Sequence, residues 1–440
     1  MKCLNVLLMF YLICIFSLSA NFLSEEDKLL IAQHFNSYVD EGKLPHISIL
    51  IKQNNKEIFR HTYGYSDLKS KNEITKDSIF RIYSMTKPVT GVAIMQLVEK
   101  GKLRLNDRVS TYIPAFKDTM VLDLTYQDYV VKTKREVTIR DLLTHTSGLT
   151  YSWAGEGPVH QIYRKNNIRP YYFGSIDSEI TKFPGSTCDF ATAAAKAPLV
   201  HNPGEQWSYG INMDILGCIV EVVSGLTFDQ YLRLNIFNKL GLNSMGFNVQ
   251  PEDLDNFTTL YTSGLFRRDG EIVGAAKINP SELMFARNLR AIDAFNASPY
   301  LTKPNLFDGG SGLVSNIDDY SKFAEMLLNG GILDGKRILS TASIELMSRN
   351  HLKDELLSKG STFGINGVGF GLTLGVIMDA GQAGTFSSDG EYYWGGAAST
   401  VFWVDKKNNL TATMMTQYMP SDKYPIREEL KTLLYSKLSN

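Results

Sequence analysis

The sequence predicts an α+β fold, with an antiparallel sheet built from both termini, helices flanking it and a mainly helical stretch inserted between. Three observations predict it. A strand–turn–strand pattern stands near the N-terminus, strand patterns return only from residue 370 onward, and the patterns between them are mostly helical.

Taken in order, His46 to Lys52 tends toward an apolar run, Asn54-Asn55 supplies a turn and Glu57 to Tyr65 runs back, which reads as a β-hairpin. Val89 to Val98 is a nearly all-apolar helix closed by Gly101. Val137 to Leu143 reads as a short helix leading into the loop His145-Thr146-Ser147-Gly148-Leu149. Residues 151–200 are loop-rich and aromatic, with Trp153, Tyr163, Tyr171, Tyr172 and Phe173. Asn212 reads as the cap of a helix from Met213 to Val223, closed by Gly225, and Asp318 to Leu328 as an amphipathic helix closed by Gly330-Gly331. Phe370 to Met378 reads as one strand, and Ala398 to Val404 with Leu410 to Met415 as a hairpin around Lys407-Asn408-Asn409. A final helix runs from about Pro425 to Leu438. The α/β part then spans about residues 21–105 plus 305–440, and the helical insertion about 106–304.

Of the 440 residues, 44% are hydrophobic and 21% charged, with a net charge of -1. That is globular composition with a deep core, and no basic block marks a nucleic-acid surface. Residues 1–20 have the order of an export signal: basic Met1-Lys2, an apolar run from Val6 to Phe16, then small Ser17, Ser19 and Ala20. The apolar run is short for a membrane span, so an exported, periplasmic or secreted protein without stable membrane insertion is expected. Cys3 and Cys14 leave with the signal. Cys188 and Cys218 remain, with a disulfide open but not indicated by spacing, and Cys218 reads as buried filler in an apolar helix. No His/Cys cluster has metal-ligand spacing, so neither metal nor cofactor is expected.

Candidate chemistry centres on Ser84-Met85-Thr86-Lys87. Residues three apart share a helix face, which sets Lys87 beside the Ser84 hydroxyl. A serine needs a neighbouring base, and a lysine desolvated by burial can be that base. Ser-x-x-Lys is a weak pattern that also occurs at Ser66 to Lys69, in a polar stretch read as a surface turn. Ser84 instead stands at the mouth of the apolar helix, where Pro88 fits only the first turn. Unpartnered N–H groups there can stabilise an oxyanion. Tyr209 precedes another helix start; alone it reads as packing, and a proton-exchange role for it depends on the resemblance below. Trp394-Gly395-Gly396-Ala397 begins a strand whose paired glycines suggest close backbone approach, with the Ala397 N–H as a second oxyanion donor. Gly-x-Ser-x-Gly is absent, which counts against an α/β-hydrolase elbow. His145 reads as a structural loop histidine.

These segments together resemble the serine β-lactamase-like superfamily, the class C β-lactamase and family VIII carboxylesterase group. The resemblance rests on Phe80 to Lys87, Leu142 to Leu149, Pro203-Gly204 through Tyr209, Gly309 to Ser315 with Asp319-Tyr320, and Trp394-Gly395-Gly396, in the family's order. It implies a β-lactamase/transpeptidase-like fold and an acyl-enzyme on Ser84. Lys87 and Tyr209 would share proton transfer, and the N–H groups of Ser84 and Ala397 would form the oxyanion hole.

Two departures bear on substrate. Tyr209-Gly210-Ile211 has isoleucine where β-lactamases carry Tyr-x-Asn, and Trp394 stands where their Lys-Thr-Gly has lysine. Trp-x-Gly is similar to the family VIII carboxylesterases. The longer spacing from Ser84 to Tyr209 falls in the aromatic stretch, expected to wall an apolar pocket. The expected function is hydrolysis of small or medium carboxylic esters. An acyltransferase, a weak β-lactamase or D-amino-acid peptidase, and a non-catalytic binder of cell-wall peptides are the alternatives. Arg267 or Arg268 would be the replacement cation for a carboxylate-bearing substrate.

Overall fold

The computed structural model describes residues 23–123, 129–169, 183, 185–263, 266–268, 271–273, 289–357 and 365–438. The segment read as an export signal lies outside them, as do Tyr171, Tyr172, Phe173 and the side chains of Arg267 and Arg268.

The first hairpin forms where the sequence places it. Helix α1 (Glu25–Asp40), capped by Ser24, leads into β1 (His46–Gln53) and β2 (Lys56–Asp67). Asn54 and Asn55 both take positive φ, 52° and 60°, the backbone that a tight twisted hairpin turn requires and that asparagine tolerates. A short β3 (Asn72–Glu73) extends this edge. The remaining strands come from the far end of the chain: β4 (Val368–Phe370), β5 (Gly375–Ile377), β6 (Tyr392–Gly395), β7 (Val401–Asp405) and β8 (Leu410–Met415). The sheet order is β4-β5-β6-β7-β8-β1-β2-β3, antiparallel throughout. The two chain ends meet at the β1–β8 seam, Ser48 opposite Met415.

Strand periodicity builds a core on each face. Ile47, Ile49, Ile51, Trp403, Ala412 and Met414 pack against α1 and the last helix, α7 (Ile426–Tyr435), through Ile31, Phe35, Ile426 and Leu430. Leu50, Phe402, Val404 and Met415 join the larger core on the other face, where α2 (Thr86–Glu99) is wrapped on all sides. Every residue of α2 from Thr86 to Leu97 is buried, which is why the helix is apolar without a stripe. Around it lie α3 (Ile139–Leu143), α4 (Thr187–Ala195), α5 (Asn212–Ser224) and α6 (Ile317–Leu328). Short strands also occur in this middle stretch, at Met120–Asp123, Tyr129–Lys132, Leu260–Thr262 and Arg290–Asp293. Among the described residues no single helix is long and apolar enough to cross a membrane.

Four local expectations are corrected. Phe370 to Met378 is not one strand: Gly371 and Thr373, at φ 73°, turn the chain back on itself. Leu372 and Leu374 in that turn are buried, so the apolar run hides it. Asn212 is not a cap; Ile211 holds that position and the Asn212 side chain serves elsewhere. Cys218 is not filler but is bonded to Cys188, joining α4 to α5. Ser66 is not in a surface turn. It is the penultimate residue of β2, 4% exposed, and its hydroxyl donates to the Asn72 carbonyl.

Candidate active site

The segment entering α2 is held from both sides. Phe80–Arg81 pairs with Val314–Ser315, and the wholly buried Arg81 guanidinium bonds Asp293 at 2.6 Å and the Thr258 carbonyl at 2.6 Å. Tyr83 then takes φ 42°, a left-handed conformation that costs energy for a bulky residue, and opens a 3₁₀ turn over Tyr83–Met85. The turn is fixed behind: the Met85 carbonyl accepts from Tyr320 Oη at 2.8 Å, and Thr90 Oγ1 donates to the Gly309 carbonyl at 2.7 Å. Ser84 is thus presented at the mouth of α2, partly exposed between two buried neighbours.

Lys87 follows one turn on, 0% exposed. Its Nζ donates to Ser84 Oγ at 3.0 Å and to the Gly310 carbonyl at 2.8 Å. It also lies over the Tyr209 ring, 4.6 Å from the centroid, and 5.6 Å from that of Tyr151. Tyr209 Oη donates to Ser84 Oγ at 2.8 Å. Ser84, Lys87 and Tyr209, the last 125 positions from the first, are therefore brought together on one oxygen.

Aromatic rings fix the Tyr209 phenol. Trp207 stacks on it at 5.9 Å, Tyr151 meets it edge-on at 5.3 Å, and Trp394 lies 5.8 Å away with Phe370 packed edge-on against it. Trp394 is 4% exposed, so it supports the wall rather than standing free in the cleft. Of the aromatic stretch after Leu149, Tyr151 and Trp153 reach this wall as a stacked pair, whereas Tyr163 is core.

The Trp394-Gly395-Gly396-Ala397 segment runs on from this wall to the turn that carries Ser84. A Cβ on Gly396 would lie 2.4 Å from the Ile82 carbonyl oxygen, so only glycine lets this segment approach the Tyr83–Met85 turn. The Gly396 N–H is taken by the Thr400 carbonyl. Among the described residues no backbone carbonyl takes the N–H of Ala397. A Cβ on Gly395 would meet the Arg427 guanidinium at 2.9 Å. That arginine, from the first turn of α7, donates through Nη2 to the carbonyls of Gly396 and Thr400, each at 2.8 Å. Sequence reasoning missed Arg427, because nothing in a helix's first turn marks a contact with a strand some thirty residues earlier.

His145 lies beside this cluster, its ring 4.8 Å from that of Tyr209. Its Nδ1 faces Asn212 Nδ2 at 2.7 Å, and Asn212 Oδ1 accepts from Ser147 Oγ at 2.5 Å. Burial, reinforced by the Lys87 charge, pushes the imidazole pKa well below its usual value. Asn212 therefore ties the His145–Ser147 loop to the start of α5. Two buried carboxyl groups, Asp214 and Asp308, lie beneath Lys87; neither stands in a recognisable motif.

The beta-lactamase family model matches residues 31–436. The chain belongs to the beta-lactamase family. Protein Rv1367c of Mycobacterium tuberculosis strain H37Rv is 31% identical over 395 residues, covering 87% of this chain and 88% of that protein. Esterase EstB of Burkholderia gladioli is 26% identical over 388 residues, covering 87% and 88%. Among solved structures, EstCE1, described as a hydrolase with promiscuous acyltransferase activity, superposes with a TM-score of 0.72. That match has 24% identity and covers 93% of this chain and 99% of EstCE1. The expected β-lactamase/transpeptidase-like α+β fold is thereby borne out for this family member.

Proposed function

We propose that this protein is a serine carboxylesterase that works through an acyl-enzyme on Ser84. The observation that carries the reading is the double hydrogen bond on one hydroxyl oxygen: Lys87 Nζ at 3.0 Å and Tyr209 Oη at 2.8 Å. In this reading the Ser84 proton passes to the Lys87–Tyr209 pair as Oγ attacks the ester carbonyl. The N–H groups of Ser84 and Ala397 receive the oxyanion. The tetrahedral intermediate expels the alcohol, which takes the proton back through Tyr209. Water then repeats the sequence on the acyl-enzyme and releases the acid. With an alcohol in place of water the same steps make a new ester, which is the acyltransferase reading.

Ester preference over β-lactams is supported by Trp394 and the rings packed around it. Trp394 carries no charge to hold a substrate carboxylate, and the aromatic wall favours an apolar acyl group. Arg427 is the cation at this strand, but its Nη2 is occupied by two backbone carbonyls. A lost charge-assisted contact costs about 1.5–3 kcal/mol, roughly tenfold to a hundredfold in affinity. The test is kcat/KM for p-nitrophenyl esters of graded chain length against nitrocefin on one preparation. Short esters are expected to win by at least about tenfold; comparable values would overturn the esterase assignment.

Export also belongs to this reading. It is supported by the signal-like residues 1–20 and by the Cys188–Cys218 disulfide, which suits an oxidising compartment. N-terminal sequencing of the mature protein should begin near Ser19 or Ala20; an intact Met1 would contradict it.

A further inference from the structure

Beneath the nucleophile lies an ionisable pair that the acyl-enzyme scheme leaves unused. Asp214, in the first turn of α5, and Asp308, in the loop before Val314, are both 0% exposed. Asp308 accepts three hydrogen bonds: from the Gly310 N–H at 2.8 Å, the Ser311 N–H at 2.7 Å and Ser311 Oγ at 2.6 Å. These are all donors, the set an ionised carboxylate accepts. Asp214 is placed differently. Its Oδ1 accepts a longer bond from the same Gly310 N–H, 3.2 Å, and among the described residues no donor reaches its buried Oδ2. A buried anionic oxygen without a donor is costly, whereas a carboxyl O–H needs only an acceptor, and the Asp308 carboxylate is brought close because both Oδ1 atoms accept from the one Gly310 N–H. Burial first, then the Asp308 charge, push the Asp214 carboxyl well above the usual range.

One residue, Gly310, joins this pair to the site. The Gly310 N–H points at the two carboxyls, and its carbonyl accepts from Lys87 Nζ at 2.8 Å. A Cβ on Gly310 would lie 2.9 Å from Asp214 Oδ2, so glycine lets the peptide sit between. Among the described residues no carboxylate pairs directly with the Lys87 ammonium. The titratable groups facing the pair are Lys87 on α2 and, beyond it, His145 and Tyr209. Glu221, two turns along α5, is occupied by the Phe228 N–H.

We propose that Asp214 and Asp308 hold one proton between them, and that their single negative charge, set one residue away, positions and balances the Lys87 ammonium formed when Ser84 is deprotonated. The proposal rests on Lys87 acting as the base of the acyl-enzyme scheme. Both aspartates are positioning residues in it. A second negative charge would hold the lysine in its protonated form; no charge would leave the buried ammonium uncompensated.

Two measurements test it. Infrared difference spectroscopy of the wild-type protein at neutral pH should show the carbonyl stretch of one protonated, buried carboxylic acid, lost in Asp214→Asn. Its absence in the wild type would overturn the proposal whatever the variants do. The double variant Asp214→Asn/Asp308→Asn should lose kcat by about tenfold or more, with KM little changed. Its acidic limb of kcat/KM against pH should move to lower pH, because removing an anion disfavours the ammonium. Asp214→Asn alone keeps one charge, so its limb should stay in place. A double variant with a wild-type limb would overturn the balancing role. If Lys87→Ala retained full turnover while the infrared band persisted, the scheme for Ser84 would fail and the shared proton would stand.

Discussion

At the scale of single residues, the account turns on what surrounds one hydroxyl. Lys87→Ala and Tyr209→Phe should each lower ester turnover by at least about 10²-fold, the scale for general acid–base groups. Steady-state kinetics beside thermal melting checks this: activity should fall far more than stability, and near-normal turnover in Lys87→Ala would remove it as the base. The Ser84–Lys87 relation was legible because three-residue spacing on a helix sets geometry directly. Tyr209 was legible only through the family resemblance, since its contact spans 125 positions. Asp214, Asp308 and Arg427 were not legible. Asp214 and Arg427 meet backbone from a distant element, which no local pattern encodes, and Asp308, whose own backbone contacts are local, gains its place only through Asp214.

Among elements, hairpins and amphipathic helices were readable where turn residues interrupt the pattern, as at Asn54-Asn55. The β4–β5 hairpin was not, because its turn is itself buried and apolar at Leu372 and Leu374. The link between α4 and α5 was also beyond the spacing of two cysteines, since pairing requires the helices to lie side by side. The Cys188–Cys218 bond closes a sequence separation of 30. A chain-entropy estimate gives it about 3–4 kcal/mol of stability, mostly by constraining the unfolded chain. Cys188→Ser/Cys218→Ser should therefore lower the denaturant midpoint clearly while leaving turnover in dilute buffer nearly intact. An unchanged midpoint would contradict that.

For the whole molecule, the sheet joins both chain ends, so a group buried in its first strand reports global stability. His46 at the start of β1 is 0% exposed, with Nδ1 on the Tyr65 carbonyl at 2.7 Å, and burial pushes its pKa down to about 4. The unfolded chain binds a proton near pH 6.5 that the folded chain refuses until about pH 4. Stability is thus fully present above the unfolded value and is lost as pH falls toward the folded one, by up to about 3 kcal/mol from this group. His145 acts in the same direction. Denaturant melts between pH 7 and 4 should show this decline, reduced in His46→Gln relative to its own neutral-pH value; parallel curves would exclude the assignment. The α+β architecture itself was legible because strand patterns occur only at the two ends of the chain.

The central claim is that Ser84 is the residue acylated. Active protein treated with a fluorophosphonate probe and mapped by peptide mass spectrometry should carry one adduct, on Ser84, with none in Ser84→Ala. An adduct on Ser66 or Ser147 instead, or no adduct in protein that still cleaves esters, would contradict the account.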